Sequence, residues 1–225
     1  MGTRHLIMVI SKKQTKVAQY GQWDGYPSGQ GKSILSFLQN ADLKEFEKKV
    51  DNLRFMNDED KKEYDAFLKS IGCENGWMTM EQSSKFQEKY FFLSRDCGSD
   101  ILGLIMDKPV VKENYKGAGE YVNTVYNQPV SFLTDSSEFA ADSLFCEWAY
   151  VIDLDKKTFE VFKGFNKKPL GKTQRFYYLQ EQNKHHEEQR GNDQYYPVRL
   201  KKKYNLDALP TLEKFLDELE GKDEE

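Results

Sequence analysis

Little in this sequence advertises chemistry. Cysteine occurs only as Cys73, Cys97 and Cys146, with no Cys-x-x-Cys spacing. That excludes a zinc knuckle and a redox pair, and fits the reduced thiols of a cytoplasmic protein better than a disulfide framework. The apolar run at the N-terminus, His5 to Ile10, is far shorter than the roughly 18 to 20 residues a membrane span needs. It also lacks the small-residue cleavage site of a signal peptide. Leu6 stands where a myristoylation signal requires Ser or Thr, so neither membrane insertion nor lipidation is expected. No sign of charge dominates: 33 Lys and Arg face 37 Asp and Glu, a formal net charge of −4. Without a basic field, nucleic acid is not an expected partner. There is no Gly-x-Ser-x-Gly elbow, His-Glu-x-x-His helix, deaminase pattern or solenoid repeat.

What is abundant is aromatic: 15 Phe, 13 Tyr and 3 Trp in 225 residues, enough large rings to fill one substantial core. The expectation is a single folding unit, residues 1–225, with the helical middle, about 32–107, allowed as a lobe. Leu6 to Ile10 and Thr15 to Tyr20 read as an N-terminal hairpin. Helices follow from the apolar spacing near Lys32, after Asp42 as a cap, over Asp58 to Ser70, Met80 to Leu93, and Ile101 to Met106 with Ser99 or Asp100 as cap. Strand patterns return at Tyr121 to Tyr126 and Val130 to Leu133. A hairpin is predicted from Phe145 to Leu154 and Thr158 to Lys163, with Trp148, Tyr150, Ile152 and Leu154 on one face. A strand at Arg175 to Leu179, a polar loop over Gln180 to Gln194, a helix over Leu206 to Glu220 and a fraying tail from Gly221 to Glu225 complete the reading. Two hairpins around a mainly helical middle predict an α+β fold with a largely antiparallel sheet.

The densest polar and aromatic segment is Gln19 to Gly31, where four glycines and a proline force repeated turns. Gln19, Tyr20, Gln22, Trp23, Asp24 and Tyr26 supply rings to stack on a planar ligand and amide and carboxylate groups to satisfy it. The structural alternative is a rigid turn whose rings cap the sheet edge and whose Asp24 bonds its own backbone. Gly29-Gln-Gly-Lys-Ser33 resembles the end of a phosphate-binding P-loop, but Gly25 to Gly31 encloses five residues instead of four and no parallel-sheet pattern follows. A plain anion nest on those amides stays open. Arg95 and Asp96 form a second cluster near a helix start, readable as an anion contact or as ordinary capping. His185-His186-Glu187-Glu188 lacks metal-ligand spacing and reads as solvated loop. No metal or other cofactor is expected.

Gly2-Thr-Arg-His-Leu-Ile7 together with Val17 to Gly31, and Phe145-Cys-Glu-Trp-Ala-Tyr-Val-Ile-Asp153, resembles a widespread uncharacterised family of bacterial, phage and fungal proteins. That resemblance implies no catalytic residue. More weakly, a strand at the N-terminus followed by a hairpin and a polar turn resembles the opening of N-terminal-nucleophile hydrolases. This would imply amide hydrolysis by a terminal nucleophile. Gly2 cannot serve, so Thr3 would need further processing, or the chain is an inactive relative. The leading expectation is a protein that binds a small polar, nucleotide-like molecule through the Gln19–Gly31 loop, with Arg95 and Asp96 in support. The alternatives are the amide hydrolase and a protein-binding inhibitor, phage-borne in origin. Whether the protein is an enzyme stays open.

Overall fold

A computed structural model describes residues 2–73, 76–117, 119–182 and 195–221. The first hairpin, β1 (His5–Ser11) and β2 (Gln14–Gly21), forms as its sequence predicts. Its turn puts Lys12 and Lys13 at φ 52° and 60°, the left-handed region that two-residue hairpin turns require. The Asp155 carboxylate accepts both of their amides, at 2.9 and 2.7 Å.

Helices fill the middle: a π-helical turn at Pro27–Gly31 runs into α1 (Lys32–Asn40), then come α2 (Leu43–Asp51), α3 (Asp58–Ser70), α4 (Met80–Tyr90) with a 3₁₀ turn at Phe91–Leu93, and α5 (Asp100–Ile105). Their starts follow from capping. Asp42 accepts from Lys44 and Glu45 amides, and Asn57 with Asp60 and Thr79 with Gln82 form capping boxes. Ser99 precedes α5 but makes no side-chain cap bond.

A separate hairpin, β3 (Val110–Gly117) with β4 (Glu120–Tyr126), is followed by a 3₁₀ turn at Ser137–Ala141. Then come β5 (Trp148–Asp153), β6 (Thr158–Lys163), α6 (Tyr177–Gln182), β7 (Arg199–Asn205) and α7 (Leu212–Glu220). Five strands make one sheet in the order β2-β1-β5-β6-β7. All its pairings are antiparallel except β1 with β5, which run parallel with His5 beside Trp148. The α+β expectation holds.

Both faces of the sheet are covered, so the central strand β1 reads as unbroken apolar sequence. Ile7 and Val9 face a large core with Tyr150, Ile152, Phe159 and the helices, while Leu6 and Met8 face a smaller one with Val151, Phe162, Phe176 and Leu179. Trp148, Tyr150, Ile152 and Leu154 share the larger core, as expected.

Three expectations fail. Arg175 to Leu179 is not a strand: Tyr177–Gln182 is helical, and Phe176 and Leu179 fall on the same buried side, Phe176 meeting Phe162 edge-on at 4.8 Å. Val130 to Leu133 is not a strand either. Pro129 lacks an amide to donate, and only Leu133 bridges, to Arg54 and Met56. The terminal helix starts at Leu212 under a Thr211 cap, because Leu206 follows β7 and Pro210 intervenes. The strands β3 and β7 were not anticipated. The loop assigned to Gln180–Gln194 is helical at its start; from residue 183 it lies outside the described residues, as do His185, His186 and the tail beyond Gly221. Among the described residues no helix is long and apolar enough to cross a membrane.

Candidate functional site

The Gln19–Gly31 loop is set by contacts at both ends. The first is His5, fully buried at the start of β1. A Cβ on Gly21 would lie 2.1 Å from Cε1 of His5, and one on Gly25 would lie 2.8 Å from its Cβ, so both glycines are there to let backbone close on imidazole. Neither ring nitrogen makes a well-formed hydrogen bond among the described residues, although the Thr3 backbone lies close enough to favour the charged form in part. Burial pushes the imidazole down to about 4 from an ordinary 6.5, keeping it neutral. Gly25 donates its amide to Thr3 O at 2.9 Å and accepts at its carbonyl from the Tyr150 hydroxyl at 2.7 Å.

The second contact is the Ser94–Ser99 segment. Gln19 Nε2 donates to Ser94 O at 3.1 Å, Gln22 N donates to Arg95 O at 2.9 Å, Trp23 Nε1 donates to Asp96 Oδ1 at 2.8 Å, and Gln30 Oε1 accepts from Ser99 N at 2.7 Å. The two clusters singled out in the sequence are therefore one assembly. From Asp96 a hydrogen-bond chain continues outward. Gln87 Nε2 donates to Asp96 Oδ2 at 2.8 Å, the Tyr126 hydroxyl donates to Gln87 Oε1 at 3.0 Å, and Asn114 donates to that hydroxyl at 3.1 Å. The loop is thus connected through side chains to the β3–β4 hairpin.

Most groups proposed as ligand contacts are engaged inside the protein. Gln19 is buried, Tyr20 donates to Gln22 Oε1 and sets its ring edge-on to Phe139 at 4.9 Å, and the indole of Trp23 covers Gly2. Asp24 sits at φ 55° and its carbonyl, not its carboxylate, accepts from Gln30 N. Trp23 and Tyr26 keep about half their surface exposed, at 47% and 51%. Arg95 is exposed, its backbone carbonyl committed to Gln22.

The anion nest is absent from Pro27–Gly31. Its amides turn inward, Gly29 and Gly31 to Tyr26 O and Gln30 to Asp24 O. The remaining donors, Ser28 N and Ser28 Oγ, both bond Glu220 Oε1 at 2.8 Å. A carboxylate of α7 thus stands where a phosphate would have to bind.

A concavity opens where the loop ends. A groove of about 420 Å³ lies between α1, α5 and the start of β3. Its polar walls are Ser33, Ser36 and Asn40 from α1, with Ser99, Asp100 and Lys108 opposite; Phe37, Pro109 and Val110 supply apolar floor. The bond from Gln30 to Ser99 holds one wall. Lys112 pairs with the Asp100 carboxylate beside it. A Cβ on Gly103, also in the lining, would meet no atom within 4 Å. Attention to the apolar face of α1 hid these residues. The signal was its other face, where Ser33, Ser36 and Asn40 recur at three- and four-residue spacing.

Two further sequence features resolve as structure. Cys97 and Cys146 are buried and burial pushes both thiols well up, away from nucleophilic use. Asp153, at the end of the Phe145–Asp153 stretch, is buried with Glu160. Arg175 bonds both, at 2.6 Å to Asp153 and 2.7 Å to Glu160, and Lys203 adds a contact to Glu160 at 3.3 Å. No protein family, curated protein or solved structure matches the chain.

Proposed function

We propose that the protein binds a small, polar, hydroxyl-rich molecule in the groove between α1, α5 and β3, with the Gln19–Gly31 loop as the scaffold that shapes it. The observation that carries this reading is the groove's size and lining. Ligand sites commonly occupy about 300 to 1,000 Å³ and combine an apolar floor with a few convergent polar groups. Ser36 and Ser99 offer hydroxyls that donate and accept, Ser33 Oγ and Asn40 Nδ2 already donate to Gly29 O and Ser36 O and keep their oxygens as acceptors, and Lys108 adds a cation while Asp100 is paired with Lys112. That set suits sugar or nucleoside hydroxyls better than a phosphate, for which Pro27–Gly31 presents Glu220 instead of free amides.

The loop's own rings have a smaller part in this reading, since Trp23 and Tyr20 spend their polar atoms on Asp96 and Gln22. The amide-hydrolase alternative has less behind it: Thr3 is 4% exposed and its carbonyl is bonded to Gly25.

The test uses native mass spectrometry of protein purified from cells, alongside a Gly103→Phe variant that fills the groove from a position with open space. A co-purifying small molecule on the wild type, lost in the variant, is expected. Equal adducts on both proteins, or none on either together with no thermal shift across a panel of sugars, nucleosides and amino acids, would remove the proposal.

A further inference from the structure

Of the arginines in the described residues, Arg54 bonds Asp60, Arg175 bonds Asp153 and Glu160, and Arg199 bonds the Pro169 carbonyl. Arg4 and Arg95 differ: among the described residues neither guanidinium bonds an acceptor. Far apart in sequence, they converge on Tyr20. That residue pairs with Leu6 and shares its face of the sheet, beside the smaller core. Arg4 and Gln22 carry the two chains one step further on the same side, by the alternation of extended backbone. Gln22 N then donates to Arg95 O at 2.9 Å.

The electrostatics single out this place. Burial pushes the Tyr20 phenol up, and the charges of Arg4 and Arg95 pull it back. Among the described residues no carboxylate acts on it, although acids outnumber bases in the chain. Asp96, the acid beside Arg95, is spent on Trp23 Nε1 and Gln87 Nε2, and Glu147 meets Arg4 through its backbone amide. The neutral groups present a donor as well. Because the Tyr20 hydroxyl donates to Gln22 Oε1, Gln22 keeps Nε2 as its open end, bonded to no acceptor among the described residues. Phe145 is 46% exposed here, and the Arg4 guanidinium lies 4.8 Å from its ring centroid. That contact orients the fork of Arg4 before any ligand arrives.

We propose that Arg4, Arg95 and Gln22 Nε2 bind the dianion of a phosphate monoester, with the Phe145 ring as a wall for its organic part. Two cations without a carboxylate match a group that carries about −1.5 to −2 at neutral pH better than the single charge of a carboxylate. Planar guanidinium forks suit phosphate oxygens, and binding there strengthens each charge-assisted bond by removing water. None of these residues lines the groove between α1, α5 and β3, so this site stands independently of the one proposed above. A free phosphorylated metabolite and a phosphorylated side chain share the chemistry.

Isothermal titration of the full chain with phenyl phosphate at low ionic strength tests this. One site is expected, weakened about tenfold or more by Arg95→Gln and by Arg4→Gln, the loss of one charge-assisted contact each. Arg95→Gln alters an exposed side chain and should melt with the wild type when no ligand is present. Lys62→Gln, which removes an exposed cation of α3, should bind as the wild type does. Benzoate, with the same ring and one charge, should bind more weakly. A phosphotyrosine peptide run alongside separates the sources: equal affinity marks a free ester and tighter binding a phosphorylated protein, and both uphold the proposal. No binding up to millimolar phenyl phosphate, affinity equal for benzoate, or affinity indifferent to Arg95→Gln would overturn it. Loss of binding in Gly103→Phe would overturn it too, by placing the ester in the groove.

Discussion

Between neutral pH and about pH 5, acid should loosen this protein chiefly through His5. Its imidazole is enclosed by Gly21 and Gly25 and is neutral when folded, holding out against protonation until about pH 4, whereas the unfolded chain takes up a proton near 6.5. A base whose folded-state pKa is depressed gives stability that is complete above the unfolded value, declines as pH falls from 6.5 toward 4, and is gone below. The full loss is about 3.4 kcal/mol, from a gap of about 2.5 pH units at about 1.36 kcal/mol each. At about pH 5 it has reached about 2 kcal/mol, a large share of the roughly 5 to 15 kcal/mol that holds a domain folded. Urea denaturation at about pH 7.5 and about pH 5 measures it, with His5→Met as control because methionine fills irregular space and does not titrate. Carboxylates held low by their partners, such as Asp51 and Asp60 with Lys12 and Arg54, also lose stability in acid, but equally in both proteins. The wild type should therefore lose about 2 kcal/mol more than His5→Met over this interval. Equal losses, or a His5 proton resonance that titrates near 6.5 in the folded protein, would refute the reasoning.

Two other perturbations test the scaffold. Trp23→Phe and Asp96→Asn should each destabilise the fold, and a double-mutant cycle by thermal melting should give a coupling of about 1 kcal/mol, the charge-assisted bond between them being reduced by partial exposure; independent, additive effects would mean that bond does not hold the loop. Arg175→Met should cost about 3 kcal/mol in chemical denaturation at neutral pH by leaving Asp153 and Glu160 buried without their shared cation. That cost should shrink in acid as Asp153, held against its burial below the usual carboxylate range by Arg175, takes up its proton, and a pH-independent cost would point to lost packing instead.

Local physics made much of the fold legible. Asp42 marked a helix start, the spacing of Tyr64, Phe67 and Leu68 marked the core-facing, half-buried side of α3, and Trp148, Tyr150 and Ile152 marked the core face of β5. Failures came where partners outweigh propensity. Arg199-Leu-Lys-Lys-Lys203 has a poor strand composition and becomes β7 only because β6 offers an edge to pair with. The aromatic run beside Arg175 favours extended chain locally, but burying Phe176 and Leu179 against Phe162 selects a helix. β3 was hidden because Lys112, Glu113 and Asn114 interrupt it with polar residues, two of them held half-buried by Asp100 and Tyr126, so that it shows no apolar alternation.

The same division holds at the candidate site. The sequence alone determined that Gln19–Gly31 must turn tightly, since its glycines permit what other residues resist, and that Arg95 and Asp96 lie just ahead of a helix, which starts at Asp100. Only the tertiary structure decided what those residues are for. It brought Asp96 to Trp23, Ser99 to Gln30 and Glu220 to Ser28, consuming polar groups that looked available for a ligand, and it opened the groove beside α1 instead. Hydrogen-bond partners separated by 69 to 192 residues leave no mark in local composition, so whether a donor is free is a property of the packed chain.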